Sequence, residues 1–373
     1  MQKKKILVMH TSIGLGHKVV AENIAQALSK YDWLEVELFD VNKFYEGAFT
    51  KSSTAIYLNI LKHAPWLWGF FYTNKFFQKL ILPLRIPFAA AKVKKFQAFL
   101  EKAKPDLILS THPTGTALVS YLKKIGDFKG PLVVTFSDFH FQPFWVFPRV
   151  DRYLVMTPEQ KLQVAGYGFA PGRIIVTGLP VNEVFAKNYN EAAAAKEFGI
   201  LKTKPLILIM GGSRGWGIKQ EDILEILRSD YETQVAVLTG TDDTLKNEIE
   251  KLSSQYPGQL RVFANLSNEG VAKLFSLAKI LVTKPGGLTI AQALLRGLPM
   301  VLVHPLPTME ELNQDYLTKH GIAVRANTSE EVRSWVERLL QDTKMYNAQM
   351  QNMKRLYFPK ASDLAAKAII DII

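Results

Sequence analysis

The 373-residue chain contains no cysteine. That excludes a disulfide framework, a thiol nucleophile and any thiolate-bound metal or cluster. It also lacks an Asp-x-Asp pair; Asp242 and Asp243 are adjacent and fall in a turn. A diphosphate gripped through a carboxylate-held metal is therefore not expected, and no metal site or cofactor is. Phosphate charge must be met by backbone N–H groups, helix dipoles and Lys or Arg. No apolar run approaches the ~20 residues of a membrane-crossing helix. The nearest candidates, 64–72 and 80–91, are short or broken by Pro83, Arg85 and Pro87. Three lysines precede Ile6–Met9, but that run falls short of the roughly 7–15 apolar residues of a secretory core. It reads as a first strand.

Apolar residues make up 48% of the chain and charged ones 21%, a folding composition long enough for two domains. The net charge is +12. Between residues 41 and 130, fourteen Lys and Arg face four Asp and Glu, so most of the excess sits in one quarter of the chain. Such asymmetry points to an anionic partner, nucleic acid or an acidic membrane surface.

Apolar runs alternate with helical patterns twice over. The first half has strands at 5–10, 35–39, 106–110, 132–136, 153–156 and 174–176. The second restarts at 205–210 and continues through 234–239, 261–264, 280–282 and 300–303. This grammar predicts parallel sheets covered on both faces, in two Rossmann-like domains facing a cleft. The boundaries read as 1–180 and 181–358. A C-terminal helix in 359–373 is expected to pack back on the first domain. Residues 43–104 interrupt the first half as an insertion rich in aromatics and lysine.

Five stretches carry chemistry. Gly14 and Gly16 with His17 follow the first strand and open a helix, where glycine lets backbone approach a ligand. A dinucleotide fingerprint would want a third glycine at Val19, and only Asp40 after the second strand keeps that reading open. His17 suits a base near neutral pH, or merely a helix cap. Asp138, in Ser137-Asp138-Phe139-His140, would orient His17, act as a base itself, or serve only as a cap. Gly211, Gly212, Ser213, Arg214 and Gly215 form a turn suited to phosphate or to nothing in particular. That turn lacks the Lys-Ser/Thr ending of an NTP-hydrolysing P-loop. In Lys284-Pro285-Gly286-Gly287-Leu288-Thr289, two glycines open a helix, giving an anion site from N–H groups and dipole together; Gln292 follows one turn on. Glu310 and Asn313 after the next strand suit a polyhydroxyl group. Phe263, near the end of strand 261–264, is counted with the donor-binding residues. Last, Trp66, Trp68, Phe70 and Phe71 beside Lys75 read as an acceptor and membrane-binding segment on anionic lipid, or as a buried hairpin with a basic rim. The aromatics cluster rather than interleave with the charges, which disfavours nucleic acid.

Taken in order, Gly14-x-Gly16-His17, Ser110-Thr111-His112-Pro113, Ser137-Asp138, Thr177-Gly178-Leu179-Pro180-Val181 and Lys284 to Thr289 resemble the monogalactosyldiacylglycerol synthase and processive diacylglycerol glucosyltransferase family. The same order looks like the peptidoglycan N-acetylglucosaminyltransferase that acts on a lipid-linked intermediate. The resemblance spans nearly the whole chain. It implies a GT-B glycosyltransferase fold and inverting transfer from a UDP-sugar to a lipid hydroxyl, most simply diacylglycerol, at the cytoplasmic face of the membrane. It makes His17 the base, puts diphosphate on the Gly-Gly-Leu-Thr turn, and puts the donor sugar near Glu310 and Asn313. This chain departs from the family in three places. Gln292 replaces a ribose-gripping Glu, Met309 replaces a Gln, and Asn182 stands where an Arg is found. The rival readings are transfer of N-acetylglucosamine to a polyprenyl-linked precursor, a soluble UDP-sugar 2-epimerase, and a non-catalytic nucleotide-sugar binder.

Overall fold

A computed structural model describes residues 3–11, 15–44, 70, 74–86 and 93–373. It divides into two compact units, Met1–Val181 with Lys360–Ile373, and Asn182–Pro359. Each contains one six-stranded, all-parallel sheet.

The first unit holds β1 (Lys4–His10), β2 (Leu34–Asp40), β3 (Leu107–Ser110), β4 (Leu132–Thr135), β5 (Arg152–Val155) and β6 (Ile174–Val176). Its helices are α1 (Leu15–Leu28), α2 (Lys75–Ile81), α3 (Val93–Ala103), α4 (Pro113–Ile125) and α5 (Pro158–Ala165). The strand order is β2-β1-β3-β4-β5-β6. β1 and β3 are wholly buried over their apolar residues, as parallel strands covered on both faces must be. The chain reverses its direction of travel across the sheet between β1 and β3. That switch point is where open α/β sheets bind ligands, at the carboxyl ends of the strands.

The second unit holds β7 (Leu206–Met210), β8 (Gln234–Gly240), β9 (Leu260–Ala264), β10 (Ala278–Thr283), β11 (Met300–Leu302) and β12 (Val324–Arg325). Its helices are α6 (Glu191–Phe198), α7 (Gln220–Leu227), α8 (Asp243–Ser253), α9 (Asn268–Leu277), α10 (Gly287–Arg296), α11 (Met309–Lys319), α12 (Ser329–Gln341) and α13 (Thr343–Met353). The order β12-β11-β10-β7-β8-β9 is the dinucleotide-fold order, with its switch point between β7 and β10. The core runs through Ile207, Ile209, Val235, Val237, Ile280, Val282 and Val301.

The last helix, α14 (Ala361–Ile370), lies in the first unit. There Lys30 pairs with Asp363, Ser362 Oγ donates to the Val181 carbonyl at 3.0 Å, and an Arg152 N–H donates to the Ala368 carbonyl. The inserted segment ends differently from the sequence reading. Its final residues form α3, whose Val93, Phe96 and Leu100 recur every three or four residues and are buried. Phe96 and Phe99 meet Phe44, and Phe99 also meets Phe39 of β2. That part of the segment belongs to the core of the unit.

Candidate active site

In the first unit, the residues gather where the topology predicts. His17 sits in the first turn of α1, following β1, and Thr111 and His112 follow β3 next to it. The pairing of β1 with β3 runs to Met9 opposite Ser110, so the two loops leave the sheet side by side. Thr111 Oγ1 donates to the Met9 carbonyl at 3.2 Å and the His17 carbonyl at 3.1 Å, tying them together. The His17 and His112 rings meet edge to face at 4.8 Å, and Trp145 stands 5.7 Å from His17. His17 Nδ1 is buried without a partner.

Burial holds the His17 pKa below 6.5, and the charge of Asp138 only partly offsets it. Burial, helped by His17, holds His112 well below 6.5. Both rings are therefore neutral at pH 7, and a neutral imidazole is the form that takes a proton. His112 has a second job, as the N-cap of α4, where its Nδ1 accepts the Thr114 amide at 3.2 Å. Asp138 is fixed from below. Gln160 Nε2 donates to the carbonyls of Asp138 (2.7 Å) and His140 (2.9 Å), and Ser137 Oγ donates to the Asp138 carboxylate at 3.2 Å. Asp40, which kept the dinucleotide reading open, accepts the Asn42 amide at 2.9 Å in a tight turn.

Gly14, Trp66, Trp68 and Phe71 lie outside the described residues, as does the side chain of Lys75. Phe70 is exposed, with its ring edge-on to Phe77. α2 is capped by Asn74, whose side chain accepts the Phe76 and Phe77 amides. It presents Phe76 and Leu80 to solvent at 73% and 58% exposure, and Leu84 follows. The guanidinium of Arg85 fastens this segment to the loop bearing Trp145. It donates to the Phe144 carbonyl (2.7 Å) and the Val146 carbonyl (3.0 Å), and it lies 4.1 Å over the Phe147 ring. Burial lowers its pKa to about 10. Among the described residues, no helix is long and apolar enough to cross a membrane.

In the second unit, the two glycine turns follow β7 and β10, which are paired with Met210 opposite Thr283. Thr283 Oγ1 donates to the Met210 carbonyl at 2.7 Å. Only glycine closes the first turn: a Cβ on Gly211 would stand 2.4 Å from the Gly215 carbonyl carbon, and Gly212 has φ +72°. A Cβ on Gly212 would touch Lys284 Cε at 3.4 Å, so the turns adjoin. Ser213 and Arg214 are exposed there, and Arg214 lies 5.2 Å over the Trp216 ring. α10 opens at Gly286 with no side-chain cap and no acid in its first turn. Its leading amides, from Gly287 through Leu288 to Thr289, are those a helix start leaves without an intrahelical partner.

Opposite, Lys284 Nζ pairs with Glu310 Oε1, while Glu310 Oε2 accepts the Leu306 amide at 2.8 Å. Asn313 Nδ2 donates to the Pro285 carbonyl at 3.1 Å. Glu310 and Asn313 are buried, so a merely solvated helix start is the wrong description of them. Gln292 Oε1 is a buried acceptor with no donor. Phe263 stands apart from this cluster. β9 is three strands from β10, about 14 Å at ordinary strand spacing, and its ring packs edge-on against Phe198.

Sequence reasoning gave no role to His112 or Trp145, although His112 lies within a quoted motif. It also missed a triad built around the buried Asp222 beside the donor turns. Asp222 accepts Ser329 Oγ at 2.7 Å and pairs with His304 Nε2 at 2.7 Å. A Cβ on Gly217 would lie 3.5 Å from both His304 Cβ and Lys284 Cβ, which puts that histidine next to Lys284.

Two parallel sheets, each with polar groups gathered at its switch point, define the GT-B fold. The particulars come from known proteins. Residues 17–181 match the model for monogalactosyldiacylglycerol (MGDG) synthase, and residues 206–369 match the glycosyltransferase family 28 C-terminal domain. The chain thus carries an MGDG synthase domain followed by a glycosyltransferase family 28 C-terminal domain. It is 28% identical over 375 residues to the processive diacylglycerol beta-glucosyltransferase of Bacillus cytotoxicus, covering 100% of this chain and 94% of that one. The crystal structure of MurG from Acinetobacter baumannii matches with a TM-score of 0.63 at 16% identity, over 99% of both chains. The UDP-GlcNAc 2-epimerase of Neisseria meningitidis, bound to UDP-GlcNAc, matches with 0.61 at 15% identity, over 98% of both chains. At those identities the two structures speak to fold alone.

Proposed function

We propose that this protein transfers a hexose from a UDP-sugar to the hydroxyl of diacylglycerol at a membrane surface, inverting the anomeric carbon. One observation carries the donor half: the two facing helix starts differ in sign. α10 opens with bare amides beside Lys284, which suits a diphosphate. α11 opens with Glu310 and Glu311, which repel an anion and accept hydrogen bonds from sugar hydroxyls. A site anionic-tolerant at one end and hydroxyl-binding at the other fits a sugar diphosphate. Gln292 offers the ribose an acceptor in place of the carboxylate.

In the reaction, the lipid hydroxyl gives its proton to His17 and its oxygen bonds to the anomeric carbon. The bond from that carbon to the diphosphate oxygen breaks, and UDP leaves with the electron pair. Asp138 favours the imidazolium that forms. The leaving charge falls on Lys284, on the α10 amides and on the Gly211–Gly215 turn with Arg214. No metal is required by this scheme, so the rate is expected to survive EDTA.

Phe70, Phe76, Leu80 and Leu84, with the lysines around them, would lie on anionic lipid at the cytoplasmic face. The diacylglycerol acceptor is supported by the full-length likeness to a diacylglycerol glucosyltransferase. The test is UDP release from UDP-glucose, UDP-galactose and UDP-N-acetylglucosamine with liposomes that contain or lack diacylglycerol. Release that depends on diacylglycerol supports the reading. Interconversion of free UDP-sugars without a lipid product would return it to the epimerase class.

A further inference from the structure

Five non-glycine residues have positive φ among the described residues, and two of them, His304 and Thr308, bound one five-residue loop between β11 and α11. Thr308 is the only β-branched residue of the five. Its φ of 73° and ψ of −71° are those of a strained γ-turn, closed by the Met309 amide on the Pro307 carbonyl at 3.0 Å, and a β-branched residue rarely occupies it. Such strain persists only where the surroundings over-determine it, and it concentrates at ligand sites. Here the surroundings are plain. The Thr308 amide donates to Glu311 Oε2 at 2.7 Å, the Leu306 amide donates to Glu310, and Glu310 is held by Lys284. Thr308 is 2% exposed; its side-chain oxygen faces the Glu311 amide in a capping box, and its hydroxyl proton has no acceptor. The α11 amides can use only the oxygen, so the hydroxyl proton waits for an acceptor that the protein does not supply. A buried hydroxyl left unspent costs stability unless a ligand completes it.

The first turn of α11 settles which part of the ligand that is. Glu310 and Glu311 stand beside Thr308 and would repel phosphate, whereas the first turn of α10 bears no acid. We propose that Thr308 determines sugar specificity, its buried hydroxyl donating a hydrogen bond to a hydroxyl oxygen of the transferred hexose. This rests on the donor-site reading above.

The experiment is calorimetric titration of wild type, T308V, T308S and T308G with UDP and with UDP-glucose, UDP-galactose and UDP-N-acetylglucosamine. Valine keeps the shape and removes the hydroxyl. T308V should bind UDP within about twofold of wild type and the preferred UDP-sugar about 10-fold more weakly, the size of one hydrogen bond to a buried group. T308S should stay within about threefold for both. If T308V melts early, T308G serves instead, since it also lacks the hydroxyl and relieves the φ strain. A wild-type ratio of UDP-sugar to UDP affinity in T308V or T308G overturns the proposal. A wild-type protein that binds no UDP overturns the donor-site reading itself.

Discussion

Two neutral, buried imidazoles in edge-to-face contact make the first unit acid-sensitive, and His112→Asn isolates one of them. Asparagine places an acceptor where Nδ1 stood, so the cap on Thr114 survives. The titratable ring is gone. In the unfolded chain His112 takes a proton near pH 6.5; in the fold its pKa lies well below that. Over that window the unfolded state binds the extra proton, so stability is full above pH 6.5 and falls as the pH drops below it. The slope is about 1.36 kcal/mol per pH unit for one proton. His17 adds to it in the same direction, over a narrower window. For a unit of this size, about 1.4 kcal/mol moves the melting temperature by roughly 3–6 °C. Melting should be followed by calorimetry from pH 7.5 to 5.5. Between pH 6.5 and 5.5 the unfolded imidazole goes from half to about nine-tenths protonated, so the loss there is about 1 kcal/mol and the wild-type transition should fall by roughly 2–4 °C more than that of His112→Asn. Any loss of ring packing lowers the variant equally at every pH and cancels from the slope. Parallel curves would refute the placement of His112 as a buried neutral ring.

Other outcomes follow from the same contacts. His17→Ala should lose about 10²–10⁴ in rate with donor affinity unchanged, and a near-normal rate would end its role as base. The wild-type rate should hold at neutral pH and fall only below pH 6.5, where His17 protonates. Lys284→Met leaves the buried Glu310 carboxylate unpaired, a loss of about 3–5 kcal/mol; Lys284→Met with Glu310→Gln should recover part of it, and a double variant no more stable than the single would contradict that pairing. Phe76→Ser with Leu80→Ser removes two exposed side chains. Melting should not change, while binding to anionic liposomes should drop by at least about 100-fold, given roughly 1.5–3 kcal/mol for each buried apolar side chain.

Much of this was legible in the sequence, for reasons that differ by residue. Gly211 and Gly286 follow apolar runs and precede helical patterns, which is enough to place two strand-to-helix turns. The strands were legible because parallel strands buried on both faces are continuous apolar runs. β12 was missed, since Val324–Arg325 is too short to show a period. α3 was absorbed into the insertion because lysines at 92, 94 and 95 mask its buried stripe. The neighbours of His17 were out of reach for a different reason. His112 and Trp145 approach it only because β3 lies next to β1, and strand order is not written in local spacing. The same holds for Asp222 and His304, 82 residues apart in sequence.

The central claim is an inverting transfer to a lipid hydroxyl, and the product tests it directly. The protein should be incubated with the UDP-α-hexose that it turns over and with diacylglycerol liposomes, and the anomeric proton coupling of the purified glycolipid should be measured. Single displacement with His17 as base predicts a β-linked hexosyl-diacylglycerol. An α-linked product, or a UDP-sugar consumed with no sugar on the lipid, would contradict it.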